Sequence, residues 1–382
     1  MTARGDDRPS DKPKLHSVAI ELTPHCNQKC SYCYNPWRED NGGELGQAKL
    51  ADLTARVTRL LDAFDVDHVT LTGGEPFSRN DVFDILALLK ARGVGIQIIS
   101  NGGLITPRLA AQLQPFDVSY VQITLNGPDA ELHERHVGPG HFDKTLQGIA
   151  ALREISIPVV GCIVVTRLNA KRVGAILERF AALDVRHIAL SRFSPAGFAV
   201  AHAAELLPSR GDLIDAFDQA LPFARDRGMS ISCTMPVPPC MLETEDYAPI
   251  GFGHCPIGTS MQEVALGPDG RLKNCTLHDQ AIGGVDDILD EAVDLVALMQ
   301  APEVTAYRRA LPAFCDGCVH ASSCGGGCGA AAQFMLGLRD DPLVGQRRLP
   351  DPVLWQHVDD DFEARLLAER RKAEKRRLEV LA

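Results

Sequence analysis

Val18-Ala19-Ile20-Glu21-Leu22-Thr23-Pro24-His25-Cys26-Asn27-Gln28-Lys29-Cys30-Ser31-Tyr32-Cys33 sets an apolar, strand-like run directly before three cysteines in one short loop. No fourth cysteine lies close by. A closed structural metal site wants four ligands, whereas three soft ligands suit an iron–sulfur cube that keeps one iron open. A zinc ion on His25 and the three cysteines is the competing reading; it would force adjacent residues onto one ion and leaves the glycine-rich turns downstream unexplained.

Outward from this loop, apolar runs alternate with helical periodicity as far as about residue 193. Strands are expected at Val18–Leu22, His68–Leu71, Gly95–Ile99, Tyr120–Leu125, Val159–Val165 and His187–Phe193. Helices are expected at Leu50–Phe64, Val82–Ala91, Pro107–Leu113, Lys144–Ile155 and Val173–Leu183, where apolar residues recur as in Val82, Ile85, Leu86 and Leu89. Six strand–helix units imply an α/β fold, a parallel sheet with helices outside, and fewer strands than a closed eight-stranded barrel. The expected form is a partial (β/α)6 barrel. Ligands gather beyond the carboxyl ends of such strands, where the cysteine loop, Gly73-Gly74-Glu75-Pro76 and Ser100-Asn101-Gly102 all fall.

The expected organisation is a flexible N-terminus (1–14), the barrel (15–200), a helical and proline-rich connector (201–252), a cysteine-rich auxiliary-cluster domain (253–345) and a charged C-terminal helix (346–382). Hydrophobic residues make up 45% of the 382 positions and the net charge is -11, which argues against a nucleic-acid partner. There is no signal-like segment and no apolar stretch of membrane-spanning length, so the chain reads as cytoplasmic, with its 12 cysteines reduced. Cys162, inside the apolar run Pro158 to Val165, reads as a small core residue.

The three-cysteine loop after the first strand, together with Leu71-Thr72-Gly73-Gly74-Glu75-Pro76 after the second, resembles the radical S-adenosylmethionine (SAM) enzymes. The resemblance implies that Cys26, Cys30 and Cys33 hold a 4Fe–4S cluster whose fourth iron is chelated by SAM. It implies reductive cleavage of SAM to a deoxyadenosyl radical that takes hydrogen from a substrate. It also implies cofactor-binding roles for Tyr32 beside adenine, for Gly73, Gly74, Glu75 and Pro76 near the SAM amine, and for Asn101 after the third strand. Asn126 stands where relatives carry an aspartate, and Arg192 after the sixth strand could pair with the SAM carboxylate.

Cys255, Cys275, Cys315, Cys318, Cys324 and Cys328 resemble the SPASM extension of this family, which implies one or two auxiliary iron–sulfur clusters. No cysteine follows Cys328, although members carry one more there. Cys240 is the most attractive additional ligand; Cys233, Asp316 and His320 are others. A zinc ribbon is the plainer reading of this group.

Members with this extension mostly modify ribosomally made peptides, and the segment around the first cluster looks broadly like the enzymes that crosslink the pyrroloquinoline quinone precursor peptide. The leading expectation is a peptide maturase, served by an electron donor such as flavodoxin or ferredoxin and by a separate peptide-recognition protein. A dehydrogenase or epimerase of a small alcohol or sugar is the alternative, and an iron–sulfur or zinc regulator the non-enzymatic one. His133, His136 and His141 are candidate acids or bases, and no residue stands out as the catalytic one.

Overall fold

The computed structural model describes residues 12–43, 45–257, 259, 261–278, 281–302, 315, 317–332 and 341. Six parallel strands run in sequence order across its centre: β1 (Lys14–Glu21), β2 (Asp65–Thr72), β3 (Gly95–Ser100), β4 (Tyr120–Thr124), β5 (Val159–Val165) and β6 (His187–Arg192). Each lies within a few residues of its expected position. The long crossovers fold as helices: α1 (Leu50–Ala63), α2 (Val82–Ala91), α3 (Pro107–Leu113), α4 (Ala130–Val137), α5 (Phe142–Glu154) and α6 (Val173–Ala182).

The local chemistry explains these boundaries. On α1, Leu53, Val57, Leu60 and Leu61 make one buried stripe at helical spacing. Thr106 caps α3 by accepting from the Leu109 amide, with Pro107 at the first helical position. Asp129 caps α4 by accepting from the Leu132 amide. This short helix carries an apolar face too small to register as a helix from periodicity. Its His133, His136 and Val137 are the buried positions. Gly161 lets β5 press against α6, since a Cβ there would lie 2.6 Å from the Phe180 ring.

The sheet extends beyond the six expected strands. After α7 (Ala203–Leu206) and α8 (Arg210–Asp226), β7 (Ser230–Cys233) joins β6 in parallel and β8 (Gly251–Phe252) joins β7. At the opposite edge β9 (Glu263–Leu266) pairs in parallel with β1, Ile20 opposite Leu266. Then β10 (Leu272–Lys273) and β11 (Ala281–Gly283) turn back antiparallel, making a mixed sheet of eleven strands. β9 seals the apolar edge of β1 that faces Val264 and Leu266, both fully buried. Short helices α9 (Val285–Leu289), α10 (Leu295–Met299), α11 (Ala321–Cys324) and α12 (Gly329–Ala332) accompany the cysteine-rich region.

Among the described residues no helix is long and apolar enough to cross a membrane. The expected C-terminal helix lies outside the described residues, as does Asp316.

Candidate active site

The chain leaves β1 at Glu21 and enters the cysteine loop through Leu22, Thr23 and Pro24. Two backbone bonds lash this entry to the end of β2: the Gly74 amide donates to Thr23 O (2.7 Å) and the Glu75 amide to His25 O (2.8 Å). The approach is so close that a Cβ on Gly74 would fall 1.9 Å from His25 O, so only glycine fits. On its other flank the loop is tied to the end of α4, with Lys29 N donating to Val137 O and Ser31 N to His136 O. The Ala199 amide holds Cys33 O at 2.9 Å. Three separate parts of the fold therefore fix the positions of Cys26, Cys30 and Cys33.

All three thiols titrate high because burial disfavours the thiolate; Cys33 is pushed up to about 12 and Cys30 well above the ordinary range. The Arg38 guanidinium opposes that shift at each of them. Arg38 is buried, donates from Nη1 to Asn41 Oδ1 (2.6 Å), and keeps a buried Nε with no hydrogen-bond partner among the described residues. Any metal taken up by these thiols would displace their protons. Among the described residues no three His, Cys, Asp or Glu side chains are already drawn together on a single metal ion. Three soft ligands spread around a loop suit a cube better than one zinc ion.

Glu75 is the hub of the β2 and β3 ends. Its Oε1 accepts from Phe77 N (3.2 Å) and the Ser100 hydroxyl (2.8 Å), and its Oε2 from Asn101 N (2.9 Å). Burial raises its carboxyl to about 7 against the pull of these bonds. Asn101 in turn donates from Nδ2 to Asn27 Oδ1 (2.7 Å), beside Cys26 Sγ at 3.7 Å. Asn35 donates to Gly73 O at 2.6 Å. Pro76 is buried and opens the turn behind Glu75.

One cavity of about 420 Å3 gathers these groups: Cys26, Cys30, Cys33, Tyr32, Gly73 to Glu75, Asn101 and Arg192 all line it. Its far side reaches Thr276 and Leu277, directly after Cys275. Tyr32, like Val164 and Leu168, packs against a small buried cluster of Phe193, Ala199, Leu206 and Leu207. Cys162, expected in the core, is buried but also faces this cavity.

Other expected residues are engaged elsewhere. Asn126 is fully buried off the cavity lining; its Oδ1 accepts from Val164 N (2.8 Å), which ties the end of β4 to β5. His133 Nδ1 accepts from Asn126 N, and burial with nearby His136 lowers the imidazole to about 4. His136 bridges Leu132 O and the Thr166 hydroxyl, and burial lowers it as well. Neither lines this cavity, and nor does His141. Arg192 is wholly buried, donating from Nε to Pro236 O (2.7 Å) and pairing through Nη2 with Asp341.

In the second cysteine group, Cys275 lies within electrostatic reach of Cys328 and Cys255, and Cys324 within reach of Cys240 and Asp341. Cys315 is buried and Cys318 exposed. Gly325, Gly326 and Gly327 carry positive φ of 64°, 80° and 92°, which winds the chain tightly between Cys324 and Cys328. His320 accepts from Cys324 N through its backbone oxygen. Cys233 lies at the end of β7, its thiol pushed up to about 12 by burial. Sequence reading does not single out Arg38 or Thr276, since neither belongs to a short motif; only proximity in the fold reveals them.

Residues 20–180 match the Radical SAM superfamily. The mycofactocin maturase MftC of Mycobacterium tuberculosis (strain ATCC 25618 / H37Rv) is 28% identical over 345 residues, 88% of this chain and 82% of that protein. The PqqA peptide cyclase of Rhodopseudomonas palustris is 26% identical over 272 residues, 70% and 68% of the two chains. The crystal structure of Streptococcus suis SuiB bound to precursor peptide SuiA has the same fold at 14% identity, with a TM-score of 0.61 over 84% of this chain and 73% of SuiB.

Proposed function

This chain belongs to the radical SAM superfamily, and we propose from that premise that it is a maturase of a ribosomally made peptide. In this reading β1 to β6 and their crossover helices form a partial barrel. Cys26, Cys30 and Cys33 hold a 4Fe–4S cluster, and Tyr32, Gly73, Gly74, Glu75 and Asn101 hold SAM. When bound, the cluster and SAM together supply a one-electron cleavage and a radical able to remove hydrogen from substrate.

The residues of this chain do the positioning. Glu75 locks the β2 and β3 ends so that the Gly73–Gly74 backbone can approach the SAM amine. Arg38 offsets the charge of the thiolates. Tyr32, with its apolar packing partners, keeps water from the nucleoside side. Cys255, Cys275, Cys315, Cys318, Cys324 and Cys328 hold one or two auxiliary clusters, with Cys240 as a further ligand beside Cys324.

The observation that carries this reading is a single cavity joining the first cysteine loop to the residues after Cys275. A substrate in it would touch both cysteine regions. The peptide maturases among the relatives favour a peptide over a small alcohol or sugar. A cytoplasmic setting, a flavodoxin- or ferredoxin-like donor and a separate peptide-presenting protein complete the proposal.

The test is anaerobic reconstitution followed by incubation with SAM, reductant and a short peptide encoded beside this gene. The expected result is deoxyadenosine and methionine together with a changed peptide mass, both lost in the Cys26→Ala/Cys30→Ala/Cys33→Ala variant. Deoxyadenosine with no change in any such peptide would overturn the peptide assignment.

A further inference from the structure

We propose that Arg192 is a positioning residue for an auxiliary iron–sulfur cluster held in part by Cys328, donating a charge-assisted hydrogen bond to it. The inference rests on the reading that Cys255, Cys275 and Cys328 share such a cluster. Arg192 ends β6, its side chain is 0% exposed, and it carries a permanent charge. A buried guanidinium must have its donors satisfied. Nε is taken by Pro236 O and Nη2 by Asp341, whereas Nη1 is buried with no partner among the described residues.

The surroundings point to a sulfur acceptor. Asp341 Oδ2, which pairs with Arg192, also accepts from Cys328 N at 2.6 Å. Arg192, Asp341 and Cys328 are therefore one hydrogen-bonded unit. The chain can pass so close to Asp341 only because residue 327 is glycine; a Cβ there would lie 2.5 Å from that same oxygen. An anionic cluster with thiolate and sulfide acceptors would satisfy Nη1, and a fixed cation beside it favours its reduced state. The same pair joins the end of β6 to a segment 149 residues away, linking the barrel mouth to the auxiliary region.

The test is a potentiometric titration of the anaerobically reconstituted full chain, followed by electron paramagnetic resonance, with iron, sulfide and SAM affinity measured on the same samples. Arg192→Gln is expected to retain iron and shift the auxiliary signal to a more negative potential. Arg192→Lys, which keeps the charge, should shift it less. Asp341→Asn, which removes the opposing charge, should shift it the other way. A merely structural bridge would give shifts of one sign or none, and if the glutamine variant does not fold the lysine and asparagine variants carry the comparison. An unchanged auxiliary potential in folded, iron-replete Arg192 variants overturns the proposal. The same result with several-fold weaker SAM binding assigns Arg192 to the SAM carboxylate instead. The underlying reading fails separately: if a Cys255→Ala/Cys275→Ala/Cys328→Ala variant keeps all the iron of the parent, these cysteines hold no cluster.

Discussion

Glu75 reaches from the end of β2 to the backbone of Asn101 at the end of β3, its Oε2 2.9 Å from that amide. The carboxylate has no cation among the causes that set its affinity for protons. It is held by three neutral donors, and burial leaves it with a pKa of about 7, above its ordinary 4.5. The turn that places Gly73 and Gly74 thus depends on a group that changes charge near neutrality.

Because the folded state holds this proton more tightly than the unfolded chain, Glu75 contributes stability that is full below pH 4.5 and lost as pH rises through about 7. The limiting size is about 3 kcal/mol. Glu75→Gln keeps the shape but not the titration. Thermal melts of parent and variant across pH 4.5 to 7.5 should show a parent-specific loss on the alkaline side, and parallel curves would refute the shifted carboxyl.

His133 works in the opposite direction. Its pKa of about 4 lies below the ordinary 6.5 through burial and nearby His136, so the unfolded chain binds the extra proton. The stability it contributes is full above pH 6.5 and gone as pH falls through about 4, at most about 3 kcal/mol. Between pH 4.5 and 6.5 the slopes from Glu75 and His133 oppose each other. His133→Asn retains an acceptor for Asn126 N and should be visibly less acid-sensitive than the parent in urea unfolding at pH 5.

How much of this was legible beforehand depended on how local the cause was. The six strand–helix units follow from apolar spacing within each segment, so their ends are nearly where periodicity puts them. The cysteine loop and the Gly73-Gly74-Glu75 turn were legible because each carries its chemistry in consecutive residues. The strands β7 to β9 were not: Glu263–Leu266 is four residues long and becomes a strand by finding the β1 edge more than 240 positions away. Arg192 was visible as a candidate, but its partner Asp341 could not be, because nothing near residue 341 announces a buried carboxylate. Asn126 is a candidate by its place in the fourth-strand motif and the α4 histidines by their type; in the fold Asn126 Oδ1 and His133 Nδ1 accept backbone amides, and His136 bonds a carbonyl and a hydroxyl.

Gly74→Ala tests how tightly the two motifs are lashed together. The added methyl would meet the His25 carbonyl, a backbone atom that cannot move without dragging Cys26. A loss on the order of 2–3 kcal/mol is expected from the overlap. Iron bound after reconstitution should fall along with the melting temperature, whereas Gly93→Ala, where nothing lies within 4 Å of a Cβ, should cost stability through its positive φ alone and leave iron binding intact.

Lys273 on β10 reaches Glu21 on β1 at 2.9 Å, with its ammonium 5.5 Å from the centre of the Trp37 ring. The pair ties the β10–β11 hairpin to the strand that launches the first cysteine loop. Glu21 is fully buried, and desolvation still raises its pKa despite Lys273. Lys273→Met would leave that carboxylate without its buried counter-charge, a change that costs about 3–5 kcal/mol. Removing both charges should cost far less, since the desolvation of two ions disappears with them. The double variant Glu21→Gln/Lys273→Met is therefore expected to be more stable than Lys273→Met alone, in urea unfolding at pH 7. If the double variant is as unstable as the sum of the two single ones, the pair contributes by packing and not by charge compensation.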